Sequence, residues 1–305
     1  MAVQLDLDAI LAFTISLAKE AGKIIRDGQQ KRFETEASQD EKLNSVDLVT
    51  EVDKAVEAFI TDKITKQYPD HQFIGEETYT GQKITDEPTW IASNPIDGTT
   101  NFVHGYPMCC TSIGLAVGGV PLIGVIYNPF LDQLYSAAKG RGAYLNETTR
   151  LPLTGKPKPL ESLGQSLIGV EYGSSRSAPQ LPAKVKAFEK LAAHTKDGGK
   201  MVHSLRSAGT AAINIALVAT GVWTCTGRSA AGHGMSAGFC ILTEAGGVAF
   251  GGKTSSLSGD IDAGLMAGRK YLAVRAIAPG EGETALQTQQ RFARELYDIT
   301  DDYDP

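Results

Sequence analysis

Apolar residues recur at helical spacing over residues 9–28, with Ile10, Phe13, Leu17, Ala21 and Ile24 on one face. Gly28 closes the pattern and predicts a helix stop. Residues 29–45 are polar and unpatterned and predict a mobile loop. Val52, Val56, Ile60 and Ile64 predict a second helix from about Thr50 to Tyr68, followed by a short strand in HQFIGEE. Residues 110–146 change character: apolar runs broken at Gly118-Gly119, Asn128-Pro129 and Lys139-Gly140 predict an antiparallel meander. From Ser166 onward strand and helix patterns alternate: SLIGVEYG, PAKVKAFEKLAAHT, AGTAAINIALVATG, AGFCILTEAGG and LAVRAI. That alternation predicts an α/β second half. The turn-rich stretch TGKPKPLES suggests a boundary, giving an N-terminal half over 1–155 and a C-terminal half over 156–305 packed as one unit.

Composition narrows the function classes. The 305 residues are 42% hydrophobic and 21% charged, which is ordinary globular composition. Lys and Arg total 29 against 35 Asp and Glu, a formal charge of −6. No basic excess exists to collect phosphates nonspecifically, so nucleic acid is not an expected partner. No run approaches the ~18 apolar residues of a membrane span, and MAVQLDLDAILAF is acidic where a secretory leader is basic. A cytoplasmic protein is expected. The four cysteines lack CxxC spacing and the five histidines form no HExxH, so zinc chemistry has no support. Adjacent Cys109 and Cys110 read as small buried apolar residues.

Three acidic segments remain: Asp47-Leu48-Val49-Thr50-Glu51-Val52-Asp53, Gly75-Glu76-Glu77-Thr78, and Asn94-Pro95-Ile96-Asp97-Gly98-Thr99-Thr100-Asn101-Phe102. Each sits at a strand end or helix entry, where the backbone can aim carboxylates at one point. Gathered carboxylates repel unless cations lie among them. Hard oxygen donors without thiolate or imidazole suit Mg²⁺. The Gly98-Thr99-Thr100 turn can open a helix whose N–H groups face an anion. Taken singly, GEE reads as a solvated turn, and Asp47 and Asp53 as helix-capping or surface residues.

The run NPIDGTTNFVHGYP closely resembles the first signature of the inositol monophosphatase family. DLVTEVD and GEE upstream and EYGSSR, SLRSAGTAA and TEAGG downstream all fall in the family's order, so the resemblance covers about residues 8–275. It implies a layered α/β/α/β/α sandwich with a large antiparallel sheet and a smaller, mostly parallel sheet. It implies Mg²⁺-dependent, Li⁺-sensitive hydrolysis of a phosphate monoester, first of all myo-inositol monophosphate, by a homodimer. Carried over by position, Glu76, Asp97 and the Ile96 carbonyl resemble metal ligands. Thr99 with Asp53 resembles the pair that orients the attacking water. Gly98 and Thr99 resemble phosphate donors. Gly209, Thr210 and Ala211 resemble the loop that faces inositol, and Ser174 a secondary substrate contact. Lys42 falls on the loop that approaches the metal site.

The match breaks at two windows. Asn94 stands where the family has a bridging Asp, and Trp90 to Asp97 holds one residue more than the family pattern. Downstream, Ala231-Gly232-His233-Gly234-Met235-Ser236-Ala237-Gly238 replaces the second signature, so the Asp expected near Gly234 or Met235 is missing, and Arg228 replaces an acidic substrate residue. One account is a catalytically impaired homologue that binds or regulates, for example in quinate metabolism. The other is a pair of compensated reading-frame shifts. A family-like D-V-Y-W-E-x-G-C-W-A-W-D-V stretch, encoded with suitable codons and stripped of its first base, translates as the run from Thr224 to Ser236. A related phosphatase acting on sugar or adenosine bisphosphates is a third possibility, disfavoured by the closeness of the PIDGTTNFVHGYP match.

Overall fold

Helix α1 spans Leu7–Thr35 in a computed structural model that describes residues 5–35, 40–41, 48–229, 235–268 and 270–301, with backbone alone at 35, 40–41, 48–49, 93–94 and 228–229. The helix runs through Gly28 and takes in residues 29–35, which the polarity pattern assigns to a loop. The reason is packing. A Cβ on Gly28 would lie 2.7 Å from Val52 Cγ1. Gly28 is therefore a contact glycine that lets α2 (Glu51–Gln67) approach α1. Strands β1 (Asp40–Glu41) and β2 (Leu48–Val49) form a separate antiparallel pair before α2. Thr50 caps α2 in a capping box with Asp53, which satisfies two amides that have no partner inside the helix.

The large sheet follows the chain in order: β3 (Gln72–Gly75), β4 (Thr89–Asp97), β5 (Cys110–Val117), β6 (Val120–Asn128), β7 (Gln133–Ala138), β8 (Gly142–Leu145) and β9 (Thr149–Arg150). Only β3 and β4 run parallel; the other pairs are antiparallel. The β5–β6 turn places Gly118 and Gly119 at φ 58 and 76, which is why glycine occupies both positions of this hairpin. Short helix α3 (Thr99–His104) joins β4 to β5. The strand β5 is buried from Cys110 to Ala116 because helices cover both faces, so its sequence shows an apolar run rather than alternation.

The second sheet has the order β11 (Ser204–Arg206), β10 (Leu167–Gly169), β12 (Cys225–Ser229), β14 (Lys270–Val274), β13 (Val248–Phe250). Its first two pairs are parallel and its last two antiparallel. It is thus evenly mixed, where a mostly parallel sheet was expected. After β13 the chain passes α7 (Ala263–Ala267) and returns as β14 between β13 and β12, antiparallel to both.

The helices complete five layers. α1 and α2 cover one face of the large sheet over a core of Leu17, Ile25, Ile60 and Ile113. α5 (Ala211–Ala219) and α6 (Ser236–Glu244) fill the space between the sheets with Ile215, Phe239 and Leu242. α4 (Gln180–Ala192) and α8 (Ala285–Ile299) cover the outer face of the small sheet over Leu191, Phe292 and Leu296. Full burial of each such side chain stabilises by about 1.5–3 kcal/mol. Among the described residues no helix is long and apolar enough to cross a membrane.

Candidate active site

The C-terminal end of β4 brings the signature segment to the seam between the sheets. Asp97 ends the strand, Gly98 turns at φ 92, and α3 begins at Thr99. Glycine is required at 98 twice over. Its φ is left-handed, and a Cβ there would lie 2.9 Å from the Met108 carbonyl. Two register breaks in β4 against β5, between Ile91 and Asn94 and between Asn94 and Asp97, swing the strand end. Such bulges absorb extra residues and re-aim side chains, and the residue in excess of the family pattern falls in this stretch.

Asp53 and Thr99 meet although 46 residues separate them. The Thr99 hydroxyl lies 3.2 Å from Asp53 Oδ1 and 3.1 Å from the Ile96 carbonyl. Asp53 Oδ2 accepts from the Thr50 amide at 2.9 Å and the Thr50 hydroxyl at 2.6 Å. One oxygen of Asp53 therefore caps α2 while the other faces Thr99. Asp53 is 2% exposed and Asp97 5%, so neither is an ordinary surface acid.

Asp97 is tied to the second half of the chain. Its Oδ2 accepts from the Thr210 hydroxyl at 2.5 Å and from the Ala212 amide at 2.6 Å. Thr210 in turn caps α5 by accepting from Ile213 N. Ala211 is buried beside it. Gly209 turns at φ 75, and a Cβ on it would meet the Asn101 amide at 3.0 Å. Asn101 Nδ2 donates to the carbonyls of Met108 and Ala208 at 2.6 and 2.7 Å. The geometry thus assembles Asp53, Ile96, Asp97, Gly98, Thr99, Gly209, Thr210 and Ala211 around one seam. The Gly209 amide and Thr210 hydroxyl are engaged internally, so they fix the loop.

Cys109 lies against this seam. Burial, then the charges of Asp97 and Asp53, push its thiol up to about 12. Burial and Asp97 also raise Cys110. Both stay protonated and serve as small apolar groups.

Glu76 is half-buried on the turn after β3. Ser174 lies on the loop between β10 and α4, beyond Glu171. Met235 is described; its side chain is buried in the apolar layer between the sheets and carries no oxygen, and its carbonyl accepts from the Phe239 amide. Lys42, Asp47 and Gly234 lie outside the described residues, as do the side chains of Asn94 and Arg228. Among the described residues, no three His, Cys, Asp or Glu side chains converge as a metal cage. The acidic donors on the described residues are hard oxygens, right in kind for Mg²⁺.

Two carboxylates escaped the sequence reading. Glu171 Oε1 accepts from the amides of Ala208 and Gly209 and from Asn214 Nδ2, and its Oε2 from the Ser207 hydroxyl, all at 2.8–3.0 Å. It holds the whole 207–209 loop. Glu57 is 2% exposed; its Oε2 accepts from the Glu77 amide at 2.7 Å and its Oε1 is buried without a hydrogen-bond partner among the described residues. A Cβ on Gly75 would sit 2.6 Å from this carboxylate, which explains the glycine of the GEE turn. The available signal was spacing: Asp53 and Glu57 are four apart on the face that carries Val56, Ile60 and Ile64.

Comparisons with known proteins identify the family. The family model described as "Inositol monophosphatase family" matches residues 6–299. Inositol monophosphatase 2 of Saccharomyces cerevisiae is 40% identical, over 92% of this chain and 91% of that protein. Quinic acid degradation cluster protein x of Neurospora crassa is 39% identical, over 96% and 94%. Among solved structures, inositol monophosphatase-II from Staphylococcus aureus superimposes with a TM-score of 0.68 at 29% identity, over 95% of each chain. Matched along nearly its whole length by model and relatives alike, the chain belongs to the inositol monophosphatase family.

Proposed function

We propose that this protein hydrolyses small phosphate monoesters, with myo-inositol monophosphate as the first candidate, by direct attack of water on phosphorus. The observation that carries the reading is the Thr99 hydroxyl held between the Asp53 carboxylate and the Ile96 carbonyl at the mouth of α3. A hydroxyl that donates to a carboxylate keeps its lone pairs for a water proton. Asp53 thereby orients Thr99, and Thr99 orients the water. As the water oxygen bonds to phosphorus, its proton moves toward Thr99 and Asp53, the phosphorus–oxygen bond to the alcohol breaks, and the departing oxygen takes a proton from solvent water to leave as the free alcohol. The α3 first-turn amides after Gly98 face the growing negative charge. The 207–212 segment, locked by Glu171 and Asp97, forms the wall for the alcohol portion, with Ser174 nearby on the adjoining loop. SaIMPase-II has been crystallised with inositol monophosphate and with 2'AMP, both phosphate monoesters.

Glu76, Asp97 and the Ile96 carbonyl are the groups that would hold Mg²⁺. When bound, the ion neutralises phosphate oxygens and polarises the phosphorus centre. The shortfall of carboxylates at Asn94 and at Gly234 or Met235 predicts weak metal affinity and slow turnover. The buried, unpaired cysteines suit a reducing cytoplasm, and a homodimer is the proposed assembly.

A second reading has one observation in its favour. The loss of metal carboxylates coincides with the likeness to a quinic acid cluster protein, which suits a homologue that binds without turnover.

Phosphate release from myo-inositol 1-phosphate, titrated with Mg²⁺ and Li⁺, separates the two. Mg²⁺-dependent release that Thr99→Ala and Asp53→Asn abolish supports the enzyme. Binding of the ester by calorimetry with no release, even at high Mg²⁺, supports the second reading.

A further inference from the structure

Helix α2 carries two buried carboxyls one turn apart. Asp53 and Glu57 are each 2% exposed and stand four residues apart on one face of the helix. They fix two different strand ends. Asp53 reaches the segment after β4 through the Thr99 hydroxyl. Glu57 reaches the turn after β3, where its Oε2 accepts from the Glu77 amide at 2.7 Å. β3 and β4 are parallel neighbours, with Gly75 opposite Ala92. One helical turn thus sets the Gly75-Glu76-Glu77 turn against the segment from Asp97 to Thr99.

Packing does not account for Glu57. Its neighbours on this face of α2 are Val56, Ile60 and Ile64, all apolar and buried. A carboxyl among them gives up hydration that an apolar side chain of the same size never had. Its Oε1 has no hydrogen-bond partner among the described residues, so the bonding recovered on burial is partial. β3 leaves room for the group. A Cβ on Gly75 would lie 2.6 Å from Glu57 Cδ, so any larger residue there displaces the carboxyl. A buried polar group kept at such a cost calls for a role other than stability.

We propose that Glu57 is a positioning residue for the metal, a role that rests on the reading of Glu76 as a Mg²⁺ ligand. By holding the Glu77 amide, Glu57 fixes the backbone of the turn that presents Glu76. In this role it touches neither the ion nor the ester. Groups that orient a metal ligand set its affinity, and losing one costs about 10–100-fold. Asp53 and Glu57 then divide the work along α2: the first orients the hydroxyl that faces the water, the second the carboxylate that faces the ion.

The test follows the melting temperature of the full chain against Mg²⁺ concentration, which reads ion binding without turnover. Glu57→Leu fills similar space and removes the acceptor. It should raise the Mg²⁺ concentration needed for half the stabilisation by about tenfold, and hydrogen exchange at the Glu77 amide should speed. Glu57→Gln keeps an acceptor oxygen for that amide and should recover most of both. Gly75→Ala pushes the carboxyl away from the strand side and should reproduce the Glu57→Leu effect; it serves if Glu57→Leu fails to fold by circular dichroism. A residue that only stabilises the fold would shift the melting temperature without Mg²⁺ and leave the Mg²⁺ midpoint where it was, which overturns the proposal. So does a Glu57→Gln midpoint as weak as that of Glu57→Leu. A natural chain that melts alike at every Mg²⁺ concentration overturns the metal reading and the proposal with it. A natural response matched by folded Glu57→Leu overturns the proposal alone.

Discussion

The Thr210 hydroxyl donates to Asp97 Oδ2 at 2.5 Å, a bond that spans 113 residues and joins the large-sheet half of the chain to the small-sheet half. The same hydroxyl caps α5. Thr210→Val keeps the shape and removes both bonds, leaving a buried carboxylate with one donor fewer. A hydrogen bond to a charged group contributes about 1.5–3 kcal/mol, and loss of an N-cap costs about 1 kcal/mol more. Urea unfolding should show a fall of that size, with Thr210→Ser recovering most of it. An unchanged midpoint for Thr210→Val would contradict the bridge.

Glu171 makes the same kind of argument for the neighbouring loop. Glu171→Ala strands the amides of Ala208 and Gly209, the Ser207 hydroxyl and Asn214 Nδ2. A loss of about 2–3 kcal/mol is expected. Hydrogen exchange should speed at the Ala208 and Gly209 amides ahead of the α5 amides. Uniform acceleration along the chain would mean global destabilisation without a specific hold on the loop.

Gly124 tests the interlayer packing. A Cβ there would collide with the backbone carbonyl of Ala237 and lie 2.9 Å from its Cα. The obstacle is helix backbone, which cannot rotate away as a side chain can. Gly124→Ala should therefore lift α6 from β6 and cost about 1–3 kcal/mol, read as a lower urea midpoint.

The parts of the fold that the sequence makes visible are those in which local pattern and tertiary packing agree. Helix α2 has its cap, its stripe and its carboxylates within one stretch, and the meander announces its turns through glycines that need left-handed backbone. The signature segment is legible because it resembles a family motif, with Gly98 at a left-handed turn that glycine adopts freely. Helix α1 beyond Gly28 is not legible, since the contact with Val52 that makes glycine useful there is tertiary. Helix α8 was readable in principle from the Thr284 and Gln287 capping box, but its stripe is short and precedes an acidic tail. Glu171 could not be found locally: its partners at 207–209 and 214 lie on a different strand-helix unit.

His71 gives the chain a pH response away from the site. Its Nδ1 accepts from Trp90 Nε1 at 3.0 Å, and its ring stacks on Tyr68 with centroids 4.9 Å apart. Burial lowers its basicity below the ordinary histidine value, outweighing the opposing pull of Asp70. The folded state thus binds the proton less readily than the unfolded state. The stability contributed by neutral His71 is complete above the ordinary histidine range near 6.5 and is lost as pH falls through it. Urea midpoints should fall between about pH 7 and 5, with Trp90 emission changing in step. His71→Gln should flatten that slope, and an unaltered slope would rule out His71 as its source.

Asn94 lies opposite Ser112 in the register of β4 against β5, between the two bulges that lead to Asp97. An amide at this position adds no charge to the acids gathered near the strand end. Asn94→Asp would add one. Without a cation, the added carboxylate should repel its neighbours and lower the melting temperature. With Mg²⁺ the sign should reverse. A ligand at a hundredfold excess over its Kd stabilises by about 2.7 kcal/mol, so thermal melts with and without Mg²⁺ should separate further in Asn94→Asp than in the natural chain. A variant that melts lower at every Mg²⁺ concentration, with no gain in response, would place Asn94 outside the metal's reach and remove the main reason to expect weakened metal binding here.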